Sequence, residues 1–311
     1  LKHVKQMKIR SNSRASDLID MMRSSGVLGA GRVARAADLL SSIFSNPNYT
    51  VILSLAGPAV AGGLRDIISD LIARKLVNAV VSNGSNITHD ILEALGFSHI
   101  RGQMHPDDVS LRGKGIGRVG DVYVSEDAFR SLETEAYRML DHITAKNPQR
   151  SLGVYELLSE IGGMLKREKS ILNAASTASV PIFCPGVYDS MLGFHLWSYS
   201  RLKRLNLDFG RDMDRMAEVV YGAKMLGAVI LGGGMPKHFL LGASMLRDGV
   251  DTAIQITMDR PETGSLSGAS LEEAISWRKA KVNSRLVTVV ADFTTVFPLM
   301  VSYALPKRQR A

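Results

Sequence analysis

The chain has 311 residues, 45% hydrophobic and 22% charged, the balance of a soluble globular protein with enough apolar material for a large core. Its net charge of +8 raises nucleic acid or an acidic protein as a partner, but the cations are scattered and no RNA-binding signature interleaves them with aromatics, so nucleic acid is not expected. Apolar runs are broken by Gly, Pro or charge before they could span a bilayer, and the lone Cys184 rules out an intrachain disulfide, which suits a reducing cytoplasm.

Residues 1–48 read as an N-terminal helical segment; no signal peptide is visible, and the start at Leu1 leaves room for residues before it. Thr50-Val-Ile-Leu-Ser-Leu-Ala56 predicts a buried strand. An amphipathic helix follows over Gly63–Leu76, with Leu64, Ile67, Ile68, Leu71 and Ile72 as its apolar positions. Asn78–Ser82 is the next strand and Ile87–Leu95 the next helix. The stretch from His105 to Gly117, rich in glycine and charge, reads as a surface loop. Residues 126–176 are more polar and helical, an excursion between two α/β halves of one domain spanning 1–311. Strands at Pro181–Cys184, Gly227–Leu231, Thr252–Thr257 and Leu286–Ala291 continue the alternation, with Cys184 a small buried residue at a strand end. Short apolar strands separated by helices predict an α/β fold with a doubly wound, mostly parallel sheet, whose strand order the sequence does not reveal. Lys307, Arg308 and Arg310 read as a short disordered basic tail.

Two stretches carry chemistry. Gly232-Gly233-Gly234 follows a strand and precedes a helix beginning near Pro236. Glycines there let backbone amides approach a phosphate, and a helix N-terminus favours its charge; a tight turn is the plain alternative. This is not the Gly-x-Gly-x-x-Gly fingerprint. His238 opens that helix, where a histidine is usually solvated or capping. In Ser267–Lys279, Glu273 and Trp277 share a helical face at i,i+4, and Lys279 lies near the end of the segment. A carboxylate and an indole face suit a cationic amine, and a lysine of lowered pKa suits a Schiff base. By themselves, a lysine near a helix C-terminus is ordinary dipole chemistry and a lone tryptophan is usually core. His89, His105 and His195 have no metal spacing, so no metal is expected.

The run Ser-Gly-Ala…Glu-Ala-Ile-Ser-Trp-x-Lys, followed by Ala-Asp and Val-Phe-Pro-Leu, resembles the C-terminal signature of the deoxyhypusine synthase family. The resemblance extends back through Leu231-Gly-Gly-Gly-Met-Pro-Lys-His238, Pro181-Ile-Phe-Cys-Pro-Gly-Val-Tyr-Asp189 and Leu111-Arg-Gly-Lys-Gly-Ile-Gly-Arg118, in the family's order over nearly the whole chain. It implies a Rossmann-like fold that binds NAD through Gly232, Gly233, Gly234, Asp189, Asp292 and the loop Asn83, Gly84 and Ser85, where the family usually has Thr-Ala-Gly. Helix capping is the plain alternative for both aspartates. All these loops would lie at the carboxyl ends of strands, where open α/β sheets bind ligands. The resemblance further implies Lys279 as the imine-forming lysine, His238 in proton transfer, and Ser265, Glu273 and Trp277 around the amine. The implied reaction moves the 4-aminobutyl group of spermidine, with release of 1,3-diaminopropane, to a lysine of the translation initiation factor 5A precursor. The implied assembly is a cytoplasmic homotetramer with active sites shared across a dimer interface, without membrane attachment. Lys279 must be neutral to attack, and burial with Arg278 or Lys281 nearby would depress its pKa.

The departures from the family pattern cluster around the amine. Phe194 and Leu266 stand where well-known eukaryotic members carry acids, and Gly242 where they have asparagine. Ala56-Gly57-Pro58 replaces a Thr-Ser-Asn turn, and His89 replaces a cofactor-side glutamate. Glu273 remains, with His89 or Asp90 as local contributors. Ammonium groups leaving water need partners, so these losses bear on substrate more than on reaction class. The alternatives are a homospermidine-synthase-like or agmatine-using transferase with a small-molecule substrate, or a non-catalytic NAD-binding relative; the presence of Lys279 argues against the last. Gly233→Val is expected to weaken NAD binding while leaving the fold largely intact.

Overall fold

The computed structural model describes residues 3–146, 149–165 and 169–305, so the tail of Lys307, Arg308 and Arg310 lies outside the described residues. Helices α1 (Ala15–Ser25) and α2 (Leu28–Ser45) precede strand β1 (Tyr49–Leu55). The middle of the chain opens with α3 (Arg65–Ala73), β2 (Ala79–Ser82), α4 (Gly84–Ala94), β3 (Ile100–Arg101), α5 (Asp108–Gly113), β4 (Ile116–Val119) and β5 (Val122–Ser125). It continues with α6 (Glu126–Lys146), β6 (Ser151–Leu152), α7 (Val154–Met164), α8 (Ile171–Ala178), β7 (Ile182–Phe183), α9 (Met191–Leu202), β8 (Asn206–Leu207) and α10 (Phe209–Tyr221). The last stretch holds β9 (Met225–Leu231), α11 (Gly234–Ser244), β10 (Val250–Thr257), the single turn α12 (Glu273–Ser276), β11 (Ala280–Val290) and α13 (Phe293–Ala304). The result is the α/β class with a mostly parallel sheet that the strand–helix alternation predicts. The chain divides into two compact units, one formed by the residues up to Leu55 together with those from Met216 on, the other by Ala56–Arg215. No helix among the described residues is long and apolar enough to cross a membrane.

In the first unit the strands run in the order β11-β10-β9-β1, all parallel. Val51 lies opposite Gly227, and Ile254 opposite Val229 and Val287. Burial on both faces is why β1 and β9 are near-continuous apolar runs rather than alternating ones. Helices α2 and α13 pack on this sheet, and α11 packs against β1. Gly227 has a steric reason: a Cβ there would stand 3.2 Å from the Tyr49 ring and 3.3 Å from Ile43, which close over the strand. The Tyr49 hydroxyl is paired with Thr252 Oγ1 at 2.9 Å and accepts from Arg285 at 2.8 Å. Strand β11 begins at Ala280, well before the apolar run at Leu286 that predicts it. Its polar first half meets β10 only where Ala280 lies opposite Val250; residues 281–284 bulge before pairing resumes at Arg285 opposite Thr252, and Lys281 pairs with Asp251.

The second unit carries the parallel pair β2–β7, the antiparallel sheet β3-β5-β4 and the short parallel pair β6–β8. The predicted loop from His105 to Gly117 instead contains α5 and the start of β4. Asp107 caps α5 by accepting from the Val109 and Ser110 amides, and Arg118 on β4 pairs with Asp108. The helix expected over Gly63–Leu76 is a kinked turn, with Gly63 at φ +85°, followed by α3 from Arg65 to Ala73. Cys184 is buried after β7, and burial pushes its thiol up to about 12, so it is the inert small residue expected. Helix α8 is started by Ser170 and by Asp90, a fully buried carboxylate on α4. Asp90 accepts from the Ser170 hydroxyl and from the Ile171 and Leu172 amides, and pairs with Arg65 at 2.7 Å.

Candidate active site

Strand β9 delivers the chain into the glycine turn. Gly232 takes φ +79° and Gly234 φ +56°, values a residue with a Cβ adopts reluctantly. The turn leans on the segment before α12. The Gly234 amide donates to Ser267 Oγ at 2.8 Å, and a Cβ on Gly233 would sit 2.5 Å from Ser267 Cα. Gln255 of β10 fastens both pieces by donating from Nε2 to the carbonyls of Gly232, at 3.0 Å, and Ser267, at 2.8 Å. Its Oε1 accepts from Lys237 Nζ at 3.0 Å. Lys237 gives its other protons to the carbonyls of Leu266, at 3.0 Å, and Ala269, at 2.6 Å. This lysine is only 2% exposed, and burial pushes its ammonium down to about 8, with Lys279 adding to the effect and Glu273 opposing it.

Above this network lies a pocket of about 310 Å³. Helix α11 contributes Lys237, His238 and Leu241, and the loop after β10 contributes Leu266, Ala269 and Ser270. Glu273, Ala274, Trp277 and Lys279 complete the wall. Four residues singled out in the sequence, His238, Glu273, Trp277 and Lys279, therefore meet. They do so on less helix than i,i+4 spacing predicts. α12 is a single turn, and Arg278 at φ +55° ends it, turning Lys279 towards β11. The Lys279 backbone is fixed: its amide donates to Ala274, and its carbonyl accepts from the Val250 amide and Ser244 Oγ. Lys279 Nζ lies 5.5 Å from the centre of the Trp277 ring, so the indole face expected to attract a substrate cation is covered by the protein's own lysine. Lys281 is not the cation beside Lys279, because Asp251 holds it at 2.6 Å; buried Lys237 has that place.

The remaining predicted residues are distributed as follows. Ser265 does not line the pocket; its Oγ accepts from the Gly268 amide at 3.2 Å and shapes the turn. Asp292 caps α13, accepting from the Thr294 amide at 2.7 Å and hydroxyl at 2.8 Å. In the other unit, Asn83 caps α4 through the Asn86 amide and also accepts from Ser85 Oγ. A Cβ on Gly84 would lie 2.6 Å from Ser190, so the Asn83–Ser85 loop packs against the loop holding Asp189. Ser190, not Asp189, caps α9. Phe194 is on α9 in the same unit and 60% exposed. His89 pairs with His99 at 2.8 Å, which pairs with Glu93 at 2.6 Å. Burial and His99 push His89 down to about 4, so it is neutral and offers no charge to an amine. Asp90 is likewise unavailable, since its oxygens are engaged by Arg65 and the start of α8. The close fit of Gly233 against Ser267 corrects its predicted variant: a valine there collides with the protein before it meets any ligand.

Sequence reasoning missed Lys237, Gln255 and Ser267. One signal was present: Lys237 is a cation in the first turn of a helix, opposed by the dipole, between Pro236 and apolar Leu240.

The family model for deoxyhypusine synthase matches residues 17–304. A chain from Methanothermobacter thermautotrophicus, named "Probable deoxyhypusine synthase", is 46% identical over 97% of this chain and 98% of its own length. One of the same name from Methanopyrus kandleri is 45% identical over 90% of each. The chain belongs to the deoxyhypusine synthase family. It is thereby related to transferases along nearly its whole length. A solved structure from Entamoeba histolytica, described as a candidate deoxyhypusine synthase, matches with a TM-score of 0.70 at 19% identity over 96% of both chains, a likeness of fold.

Proposed function

We propose that this member of the deoxyhypusine synthase family is a cytoplasmic, NAD-dependent aminoalkyl transferase. It moves the 4-aminobutyl group of spermidine to one lysine of the translation initiation factor 5A precursor, working as a homotetramer. The observation that carries the reading is the meeting of Lys279, His238, Glu273 and Trp277 in one pocket of a chain of this family.

The residues present fit a dinucleotide. The turn Gly232–Gly234 ends an inner strand, has positive φ at its outer glycines and opens α11, a setting that favours a pyrophosphate, with the Gly234 amide already taken by Ser267 Oγ. Asp292, which follows β11 in the same unit, is a further candidate to hold it. NAD, when bound, supplies the hydride acceptor for the donor amine and the hydride donor that completes the product. His238 accepts the proton that the donor nitrogen loses as its neighbouring carbon is oxidised. Neutral Lys279 adds to that carbon, the C–N bond to 1,3-diaminopropane breaks, and the four-carbon amine remains as an imine on Lys279. The acceptor lysine displaces Lys279 by the same exchange. Glu273 pairs with the terminal ammonium throughout.

Incubation with NAD, labelled spermidine and the acceptor protein, followed by mass analysis, tests the reading. Borohydride added during turnover should leave a four-carbon amine on the peptide holding Trp277 and Lys279. An adduct on another lysine would overturn the assignment.

A further inference from the structure

We infer that the cleft along the outer edge of β11 receives the lysine-bearing segment of the acceptor protein, laid out as an extended strand that leads its lysine past Ser270 into the pocket of Lys279. The inference rests on the transferase reading above and names the surface by which such an enzyme holds its protein substrate.

Strand β11 ends its sheet. β10 pairs with one edge from Arg285 to Val290, and no strand among the described residues pairs with the other edge. A bulge blunts an open edge, but here it covers only residues 281–284 and leaves the apolar half available. An edge of this kind offers unpaired amides and carbonyls to an approaching extended chain. A cleft of about 620 Å³ lies beside it, lined by Leu286, Val287, Thr288 and Val290.

The cleft also carries an anchor. Leu28, at the start of α2, lines it, is 85% exposed and is held at φ +50°, a left-handed conformation that leucine rarely adopts. Strain and exposure of a large apolar side chain at one position mark a contact site. The walls differ in charge. Arg32 and Arg35 stand on α2, Asp259 and Glu272 on the loop before α12, and all four are exposed with no ion pair among the described residues. The acidic wall suits the lysine of the guest segment, and the arginines suit acidic groups of the partner beside it.

The cleft and the pocket share a wall. Ser270 lines both, Glu272 faces the cleft, and Glu273, the next residue, faces the pocket that holds Lys279. Consecutive carboxylates thus lead from one to the other, so an ammonium leaving water keeps a partner on the way. A pocket of about 310 Å³ admits a side chain and not a folded surface, which is why the lysine must arrive on an extended segment.

The donor half of the reaction can be read apart from the acceptor half. With NAD and labelled spermidine alone, the borohydride-trapped imine on Lys279 reports the first; transfer at varied acceptor concentration reports the second. Leu28→Asp, Arg32→Glu and Glu272→Lys should leave imine formation within twofold of wild type and raise the KM for the acceptor protein tenfold or more. Without NAD, added acceptor protein should slow hydrogen exchange at the amides of residues 285–290, as strand addition requires. If the variants depress imine formation and transfer alike, or if exchange at 285–290 does not change, the inference is wrong while the transferase reading stands. If the variants lower the mass of the assembly in ultracentrifugation, the cleft is a contact between copies and the inference is again wrong. If the wild type forms no imine from spermidine, both readings fall.

Discussion

Lys237 is the residue on which the pocket hangs. Lys237→Met removes a buried charge but leaves Gln255 Oε1 and two carbonyls without a donor, and an unsatisfied buried acceptor costs about 1–3 kcal/mol each. The unmet acceptors outweigh the relieved desolvation, so urea denaturation near pH 7 should show a net loss of about 1–3 kcal/mol. The pH dependence has a definite sign. Burial lowers the ammonium from its usual 10.5 to about 8, so between those values the unfolded chain holds a proton that the folded chain has lost. The Lys237 contribution is therefore fully present above the upper value and falls away as pH drops through the lower one. The stability gap between wild type and Lys237→Met should widen from pH 7.5 to 9.5; a constant gap would mean that this lysine titrates normally. Gly233→Ala makes a different point. Its Cβ would press on Ser267 Cα, and overpacking of this kind costs about 1–3 kcal/mol. The loss should appear in denaturation without any ligand present.

Among the elements, α8 depends on a residue far from it in sequence. Asp90→Ala should cost about 1–3 kcal/mol, since it removes the buried acceptor of the Ser170 hydroxyl and of the Ile171 and Leu172 amides at the start of the helix, while Arg65 keeps Glu93 at 3.3 Å. Chemical denaturation checks it, and a change below 1 kcal/mol would show that Ser170 suffices as the cap. Helix α11 offers the opposite case. A Cβ on Gly242 meets nothing within 4 Å, so Gly242→Ala should stabilise by about 0.5–1 kcal/mol. The apolar strands were legible because burial on both faces leaves a continuous signature, as in β1 and β9. α5 was hidden because its glycine and charge resemble a loop, and only the Asp107 cap reveals it. The polar half of β11 was hidden because it pairs with β10 only at Ala280 and bulges before Arg285, so it carries no apolar run of its own.

For the molecule as a whole, Lys279→Ala should abolish transfer while NAD affinity is retained, because the glycine turn and its Gln255 and Ser267 supports remain. Persisting transfer would remove Lys279 from the mechanism. Arginine should not restore activity, since a guanidinium stays protonated and is a poor nucleophile. Much of the pocket was readable in advance because its chemistry lies close in sequence, between His238 and Lys279. The network beneath was not. Gln255 reads as one more strand residue until β9 and β10 are known to be neighbours, and the role of Lys237 lies in carbonyls that carry no mark in the sequence. The strand order β11-β10-β9-β1 was equally invisible, since parallel apolar strands are interchangeable as text.

The loop between β10 and α12 is gripped by its main chain. Lys237 holds the carbonyls of Leu266 and Ala269, and Gln255 holds that of Ser267. None of those grips depends on which side chains positions 266 and 269 carry. The path of the wall is thus separated from its chemistry, like a frame that keeps its shape while panels are exchanged. A lineage can replace a panel such as Leu266 and alter what the pocket accepts without rebuilding the scaffold that presents Lys279.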